Sequence, residues 1–536
     1  MANIVVVLLQ MLLGLKVLSI PTLAVFLSID CGSSDSFTAA NNITWVGDDL
    51  YIKGGESQTV QSADNSSSVA RQYTTRRVFP TRKKNCYSIG DVGKGERVFL
   101  RAYFYYGSCN NNETSSSPTF DLQFDGNHWT SVGGCITDPF YYEVIYLTKF
   151  DAVSLCVAQT DPDHIPFISA IQVISLDVGM YSKVDSTYPL FMRRRANYGG
   201  DKFVRYPDDK FDRIWRAFPG NSDLVAIKNY SQVIVADLPN KPPESVLQTA
   251  IKSSNLSAPG IGILIPSWFY VGDKDEITLY TIFYFSELEQ LNSSEQRSFT
   301  LYLNKINISD PITPPYGTAL EFDLTTNVSY ADQENARYRL IPPSGSTLPS
   351  IVNAMEIFQI GHILTDGTND NHVKALSVLQ KAFVQLQSWS GDPCLPNGFP
   401  WEWVECTNDS VTPQIMSLNL SNYGLQGSLP DFSALDTLQM IDLSNNNLSG
   451  EIPSFLGNFP SLNMLNLANN SFGGLIPSSL TNNCNLKLVY SGNPNLCAPN
   501  QSSCVNNGTS ISSASTSKNL GTTIGIVILV LVLVSF

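Results

Sequence analysis

The sequence predicts a mainly β protein, with two tandem sandwich lobes followed by a short solenoid, and three observations lead there. Between residues 27 and 365, short segments rich in Val, Ile, Phe and Tyr alternate apolar with polar residues, as at 97–106, 120–124 and 277–285, and Gly, Asn, Asp and Ser separate them. That alternation is the period of a half-buried strand. The segments then recur. Residues 98–107 are echoed by 277–286 and residues 120–129 by 299–308, both 179 positions later, and residues 166–173 by 349–356, 183 positions later. Similar strands in the same order at nearly one offset argue for two copies of one sandwich, joined near residues 192–200. Finally, residues 414–479 carry a pattern that repeats after 23 and then 24 positions.

The first copy of that pattern is Leu418, Leu420, Asn422, Leu425, Gly427, Leu429 and Pro430. The second is Ile441, Leu443, Asn445, Leu448, Gly450, Ile452 and Pro453, and the third is Leu465, Leu467, Asn469, Phe472, Gly474, Ile476 and Pro477. This is the spacing of a leucine-rich repeat. Alternate Leu residues enter a shared core, Gly permits the turn, and the Asn side chain is expected to satisfy backbone groups there. Each copy covers its apolar side only by stacking on a neighbour.

The expected organisation is a signal peptide over 1–26, a first lobe over 27–190 and a second over 191–365. A helix and a cysteine-containing cap fill 366–412. Repeats with a C-terminal cap follow over 413–504, then a polar linker over 505–519 and an apolar tail over 520–536. Residues 4–15 are apolar apart from Gln10, with no Lys or Arg before them, and read as a secretory signal, a retained anchor being the alternative. In 368–389, Val373, Leu376, Leu379, Phe383 and Leu386 recur every three or four residues, the period of one amphipathic helix, with Asp370 or Asn371 as its cap. The apolar run of the tail is 13 residues long from Ile524 and 17 from Leu520, against about 20 for a spanning helix. Small residues at Ser512, Ser513 and Ala514 and a polar spacer precede it. Both a lipid-anchor signal and a short transmembrane segment fit.

Fourteen Asn-x-Ser/Thr acceptors support a secretory route: Asn42, Asn65, Asn112, Asn229, Asn255, Asn292, Asn307, Asn327, Asn408, Asn419, Asn447, Asn469, Asn500 and Asn507. So does cysteine placement. Cys31, Cys86, Cys109, Cys135 and Cys156 lie early, and Cys394, Cys406, Cys484, Cys497 and Cys504 lie late. Disulfides are expected, and each odd cluster leaves a free thiol or an intermolecular bridge.

A formal charge of −14 argues against nucleic acid. The one basic cluster, Arg71, Arg76, Arg77, Arg82, Lys83 and Lys84, reads as a solvated strand face. Four His residues without ligand spacing point to no metal and no cofactor. No nucleophile elbow or phosphate loop is present, and a non-catalytic protein is expected. Tyr105, Tyr106, Trp129, Tyr141 and Tyr142 are the candidate ligand contacts, because aromatic faces combine apolar area with polar handles. On the solenoid, the outward strand positions Ser417, Asn419, Asp442, Ser444, Asn466 and Ala468 form a second candidate surface.

Several motifs together resemble the plant malectin-like/leucine-rich-repeat receptor family. They are Ser28-Ile29-Asp30-Cys31-Gly32, Arg77-Val78-Phe79-Pro80, Asn85-Cys86-Tyr87, the stretch 100–107, Arg195-Ala196-Asn197-Tyr198-Gly199 and Asp212-Arg213-Ile214-Trp215. Gly391-Asp392-Pro393-Cys394 matches the family's processing junction. The resemblance implies two tandem malectin-like lobes and a plasma-membrane receptor role on the extracellular side. It implies a peptide, protein or cell-wall carbohydrate ligand and a receptor kinase or co-receptor as partner. Full-length members carry a kinase, and no kinase motif precedes Phe536, so the chain reads as a receptor-like protein without one. The alternative is a structural carbohydrate-binding protein of the cell wall.

Overall fold

In a computed structural model of the chain, the described residues are 24–497 apart from 61–68, 108–117, 134–137, 232–236, 255–259, 266–275, 330–335 and 409–410. The expected signal peptide up to residue 23, the linker and the apolar tail lie outside them. So do Asn65, Asn112, Asn255, Asn500, Asn507, Cys109, Cys135 and Cys504. Among the described residues no helix is long and apolar enough to cross a membrane. The chain forms two compact units, up to Met416 and from Ser417.

One sheet organises the first unit. Its eleven strands are β1 (Phe26–Asp30), β2 (Phe37–Thr38), β3 (Thr44–Gly47), β4 (Arg97–Phe104), β5 (Phe140–Leu147), β6 (Ala170–Ser175), β7 (Leu190–Tyr198), β8 (Arg216–Phe218), β9 (Glu276–Phe285), β10 (Leu320–Ser329) and β11 (Ala354–Ile360). They run in the order β2-β3-β1-β6-β4-β5-β7-β11-β9-β10, with β8 beside β7. The two lobes are therefore halves of a single sheet. The run β6-β4-β5 in the first half is matched by β11-β9-β10 in the second, so the sequence echo reappears as strand order.

Smaller sheets close the front of each half. Val98, Leu100, Ala102 and Phe104 of β4 pack with Tyr87, Phe120 and Leu155 in the first core. Leu279, Phe283 and Phe285 of β9 pack with Ile261, Leu301 and Leu340 in the second. The intervening residues face the back, where Phe99, Ile145, Tyr280, Ile282 and Phe358 are covered by Tyr181, Phe211, Trp215 and Leu247 from the 176–250 connection. Central strands are thus buried on both faces, and every residue of β4 is buried.

Cys86 and Cys156 oppose each other on neighbouring strands and form a disulfide, as do Cys394 and Cys406. Cys31 is a buried free thiol and Cys484 an exposed one, so each odd cluster contains an unbridged cysteine. The amphipathic helix is shorter than its pattern. Helix α1 (Asp370–Ala382) is capped by Asn369, whose side chain accepts from the amide of Asn371 at 3.0 Å, rather than by Asp370 or Asn371. Phe383 turns extended, and a 3-10 turn, Val384–Leu386, tucks Leu386 inward.

In the second unit, Leu418, Ile441 and Leu465 stack in parallel register. The turn asparagines differ from expectation. Asn445 and Asn469 sit on the surface with positive φ. The backbone groups are satisfied by Asn446, Asn470 and Asn493 instead. Asn470 donates to the Leu443 carbonyl at 2.8 Å and accepts from the Leu448 amide at 3.0 Å. The first copy has Tyr423 where this inner asparagine recurs, so the shared outer Asn drew the pattern one position early. On the strand face, Ser417, Ser444 and Ala468 are buried, whereas Asn419 is exposed and Asp442 and Asn466 are half-buried. Half-buried Met440 and Met464 lie opposite Ser417 in register and belong to that face.

Candidate ligand-binding cleft at the seam of the shared sheet

The seam between the lobes is β5 against β7, and it is only partly closed. Val144 and Ile145 of β5 pair with Phe191 and Leu190 of β7. Beyond that point the strands separate. Phe140 to Glu143 keep β4 on one side, Phe140 opposite Phe104 and Glu143 opposite Arg101, and among the described residues no strand pairs with the other. On β7, a bulge falls between Met192 and Arg194, and farther along β8 takes the neighbouring position beside Ala196 to Tyr198. A bulge interrupts side-chain alternation and re-aims residues, and here three consecutive arginines reach the gap.

Behind the seam a buried charge ladder joins the halves. Arg101 and Glu143 are 2.6 Å apart, Glu143 also meets Arg195 at 2.7 Å, and Arg195 meets Glu356 at 2.7 Å, all with side chains at most 2% exposed. Asp212 adds contacts to Arg101 at 3.2 Å and Arg205 at 2.7 Å. Tyr181 and Tyr284 donate hydroxyls to Glu356. Burial raises the Glu143 carboxyl, but Arg101 and Arg195 outweigh it and hold the group below the usual carboxylate range. The ladder makes the floor of the seam rigid and charge-satisfied.

The gap is a cleft of about 670 Å³ lined by Phe140, Tyr141, Tyr142, Arg193, Arg194, Arg216 and Phe218, with Arg195 and Glu143 beneath. Arg194 donates to a neutral acceptor, the Leu264 carbonyl, at 3.0 Å. Arg216 is exposed and lies 5.6 Å from the Tyr141 ring centre. Burial pushes the Arg193 guanidinium down to about 10, against a smaller opposing effect of Tyr142. Among the described residues, Glu143 is the cleft's only acidic lining residue, and Arg101 and Arg195 already engage it. The cleft is therefore apolar-walled and positive within a chain of net charge −14. A neighbouring cleft of about 790 Å³ shares Arg193 but balances Lys183 with Asp185 and Glu276, so it shows no charge preference.

The five aromatic candidates do not form one site. Tyr141 and Tyr142 line the seam cleft from opposite faces of β5. Tyr105 is 3% exposed and packs on Tyr73. Tyr106 packs on Phe167 beneath Arg76. Trp129 is 5% exposed in the first core and lines the neighbouring cleft. Sequence reading missed the arginines of the seam, although three in a row beside the predicted lobe joint was a visible signal.

The basic cluster is a solvated face only at Arg71 and Lys83, which are exposed, and the rest corrects the expectation. Arg77 makes a buried pair with Asp48. Arg82 donates to the Ser388 carbonyl at 3.0 Å and lies over Trp389, and Lys83 reaches the Gly398 carbonyl at 2.9 Å. Lys84 donates to the carbonyls of Asp392 at 2.7 Å and Leu395 at 2.9 Å, and burial pushes it down to about 8. Lys84 thus docks the Gly391-Asp392-Pro393-Cys394 segment on the first lobe, while Arg82 and Lys83 hold the residues before and after it. Gly391 has φ +74°, and a Cβ there would meet Cys86 Sγ at 2.5 Å. Asp392 accepts from the Thr368 hydroxyl at 2.6 Å and from the amides of Cys394 at 2.9 Å and Leu395 at 2.8 Å. Pro393 and Cys394 are buried.

Of the described glycan acceptors, Asn42, Asn292, Asn307, Asn327, Asn408, Asn419, Asn447 and Asn469 are exposed. Asn229 is half-buried and donates its amide to the Leu288 carbonyl at 3.1 Å.

Comparison with known proteins gives a consistent picture. The family model of the malectin-like domain matches residues 29–360, and that of the leucine-rich repeat matches 437–459 and 461–483. The probable LRR receptor-like serine/threonine-protein kinase PAM74 of Arabidopsis thaliana is 32% identical over 416 residues, covering 75% of this chain and 45% of that protein. The putative leucine-rich repeat receptor-like protein kinase At2g19210 of the same plant is 33% identical over 429 residues, covering 78% and 47%. The chain spans about half the length of the curated relatives it matches. Among solved structures, the ANX2 ectodomain from Arabidopsis thaliana matches with a TM-score of 0.54 at 19% identity, over 63% of this chain and 97% of that one. A structure of the plant peptide RALF23 in complex with FER and LLG2 matches with a TM-score of 0.50 at 19% identity, over 63% and 95%. At those identities the likeness is one of fold.

Proposed function

We propose, from the premise that this chain belongs to the malectin-like domain family and carries leucine-rich repeats, that it works as a receptor-like or co-receptor ectodomain. It stands at the plasma membrane, on the extracellular side, binds an extracellular ligand and signals through a partner kinase. The observation that carries the reading is the seam cleft, a preformed concavity of ligand size on a rigid two-lobe sheet. The relatives' receptor-kinase names and the peptide complex among the similar structures support it. A cell-wall glycan is the second ligand class, favoured by the aromatic faces at Phe140, Tyr141 and Phe218. Tyr105, Tyr106 and Trp129 then serve packing, and the exposed Asn-x-Ser/Thr sites carry glycans. The docked Gly391–Cys394 segment acts as a processing junction only after it leaves the first lobe.

The test is a binding screen on the glycosylated, secreted chain, with extracellular peptides and a glycan array in parallel. Specific binding by one class, together with recovery of a kinase after mild solubilisation from membranes, is expected. Folded protein that binds neither class overturns the reading.

A further inference from the structure

The seam cleft combines two features that rarely coincide at one place. One is an open strand edge. Phe140 to Glu143 of β5 pair with β4 on one side, and among the described residues no strand pairs with the other. Four residues of strand offer roughly 13 Å of backbone donors and acceptors. The other is unspent positive charge. Arg194 and Arg216 are held by a carbonyl and an aromatic face rather than by carboxylates, and the lining carboxylate, Glu143, is already engaged by Arg101 and Arg195.

We infer that this cleft takes an extended acidic peptide segment, which adds as a short strand along Phe140–Glu143 and places carboxylates on Arg194 and Arg216. The inference deepens the receptor reading and rests on it. An exposed edge recognises main chain by strand addition, while pockets beside it choose alternate side chains. The aromatic rings of Phe140 and Tyr142 lie on one face of β5 and Tyr141 on the other. They supply apolar contact on both sides of an inserted strand. Arg presents a planar fork that matches a carboxylate with two parallel hydrogen bonds. A glycan would use the aromatic faces but not the regular donor and acceptor spacing of the strand edge, so the edge favours a peptide. The neighbouring cleft, with its balanced charges, lacks the positive excess.

The test uses the glycosylated secreted chain and an immobilised random octapeptide library. Acidic sequences should be enriched. A selected peptide should lose at least tenfold in affinity when its Glu residues are replaced by Gln, and again when alternate backbone nitrogens are methylated, which removes strand pairing. The double variant Arg194→Gln/Arg216→Gln should lose at least tenfold for the acidic peptide. Both positions are at the surface of the cleft, and unchanged thermal unfolding of the variant checks that it folds. Enrichment of neutral or basic peptides, or equal binding by the double variant, overturns the assignment while leaving the receptor reading standing. Binding that tolerates backbone methylation overturns strand addition. Binding of acidic oligosaccharides but no peptide overturns the peptide assignment alone, and binding of neither class removes the receptor reading with it.

Discussion

Arg101 on β4 and Glu143 on β5 face each other directly across the sheet and close to 2.6 Å with both side chains out of solvent. Glu143 extends the contact to Arg195, and Arg195 to Glu356, so one line of charge crosses from the first lobe into the second. Taking such groups out of water is favourable only while every partner is present.

Removing the central carboxylate therefore leaves Arg101 with Asp212 alone and Arg195 with Glu356 alone as buried carboxylate partners. Glu143→Gln is expected to lower the stability of the first unit by about 3–5 kcal/mol, read by denaturant unfolding of the secreted chain. Asp366→Ala, which breaks a pair with Lys149 whose carboxylate is 64% exposed, should change it by less than about 1 kcal/mol. Equal effects from the two variants would contradict the ladder's role.

Acidity should act through buried carboxyls outside the ladder. Burial, with a smaller contribution from nearby Glu356, raises Glu321 from 4.5 to about 7. Burial raises Asp125 from 3.8 to about 6. A carboxyl raised in the folded state binds more protons there than in the unfolded chain. Its stabilising effect is complete below the unfolded value and is lost as pH rises through the folded one. Stability is thus expected to fall between about pH 4 and pH 7, and Glu321→Gln, which keeps an acceptor for Asn240, should flatten the upper part of that slope. Unfolding measured across the range decides it, and a slope unchanged by the substitution speaks against the assignment.

The Gly391 position should tolerate no side chain. Gly391→Ala combines a positive φ with a methyl 2.5 Å from Cys86 Sγ and 3.0 Å from Cys156 Sγ, a loss of about 2–4 kcal/mol for left-handed backbone and overpacking together. Limited proteolysis should cut the 391–398 segment faster in this variant than in the parent. Equal rates would mean that docking on the first lobe does not protect the junction.

In the solenoid, Asn470→Ala should cost at least about 2 kcal/mol, because the Leu448 amide and the Leu443 carbonyl lose their partner in a buried turn. The exposed neighbour substitution Asn447→Asp should stay within about 0.5 kcal/mol while abolishing one glycan acceptor, which mass spectrometry can follow alongside unfolding.

Much of the fold was legible because periodicity reports burial directly. The alternating residues of β4 and β9, echoed 179 positions apart, found equivalent places in the sheet, and the stacked Leu residues of the repeats formed the solenoid core. The site was less legible, since its determinants are relationships between strands. Tyr141 and Tyr142 could be chosen as aromatic, but nothing in their own segment reveals that β7 departs from β5 after Leu190 and Phe191. The charge of Arg82, Lys83 and Lys84 looked solvated because their carbonyl acceptors lie some 300 residues away, where backbone oxygens leave no trace in side-chain identity. The turn asparagines were read one place early because Asn445 and Asn469 recur as faithfully as the inner pair, and only burial tells them apart.

The most direct test of the account is amide hydrogen exchange on the glycosylated, secreted chain with and without a selected acidic octapeptide. Bound peptide should slow exchange in residues 140–143, 192–198 and 214–218, with the Arg194→Gln/Arg216→Gln variant showing no such change. Protection confined to the solenoid strand face or to the neighbouring cleft, with residues 140–143 exchanging as in the free chain, would contradict it.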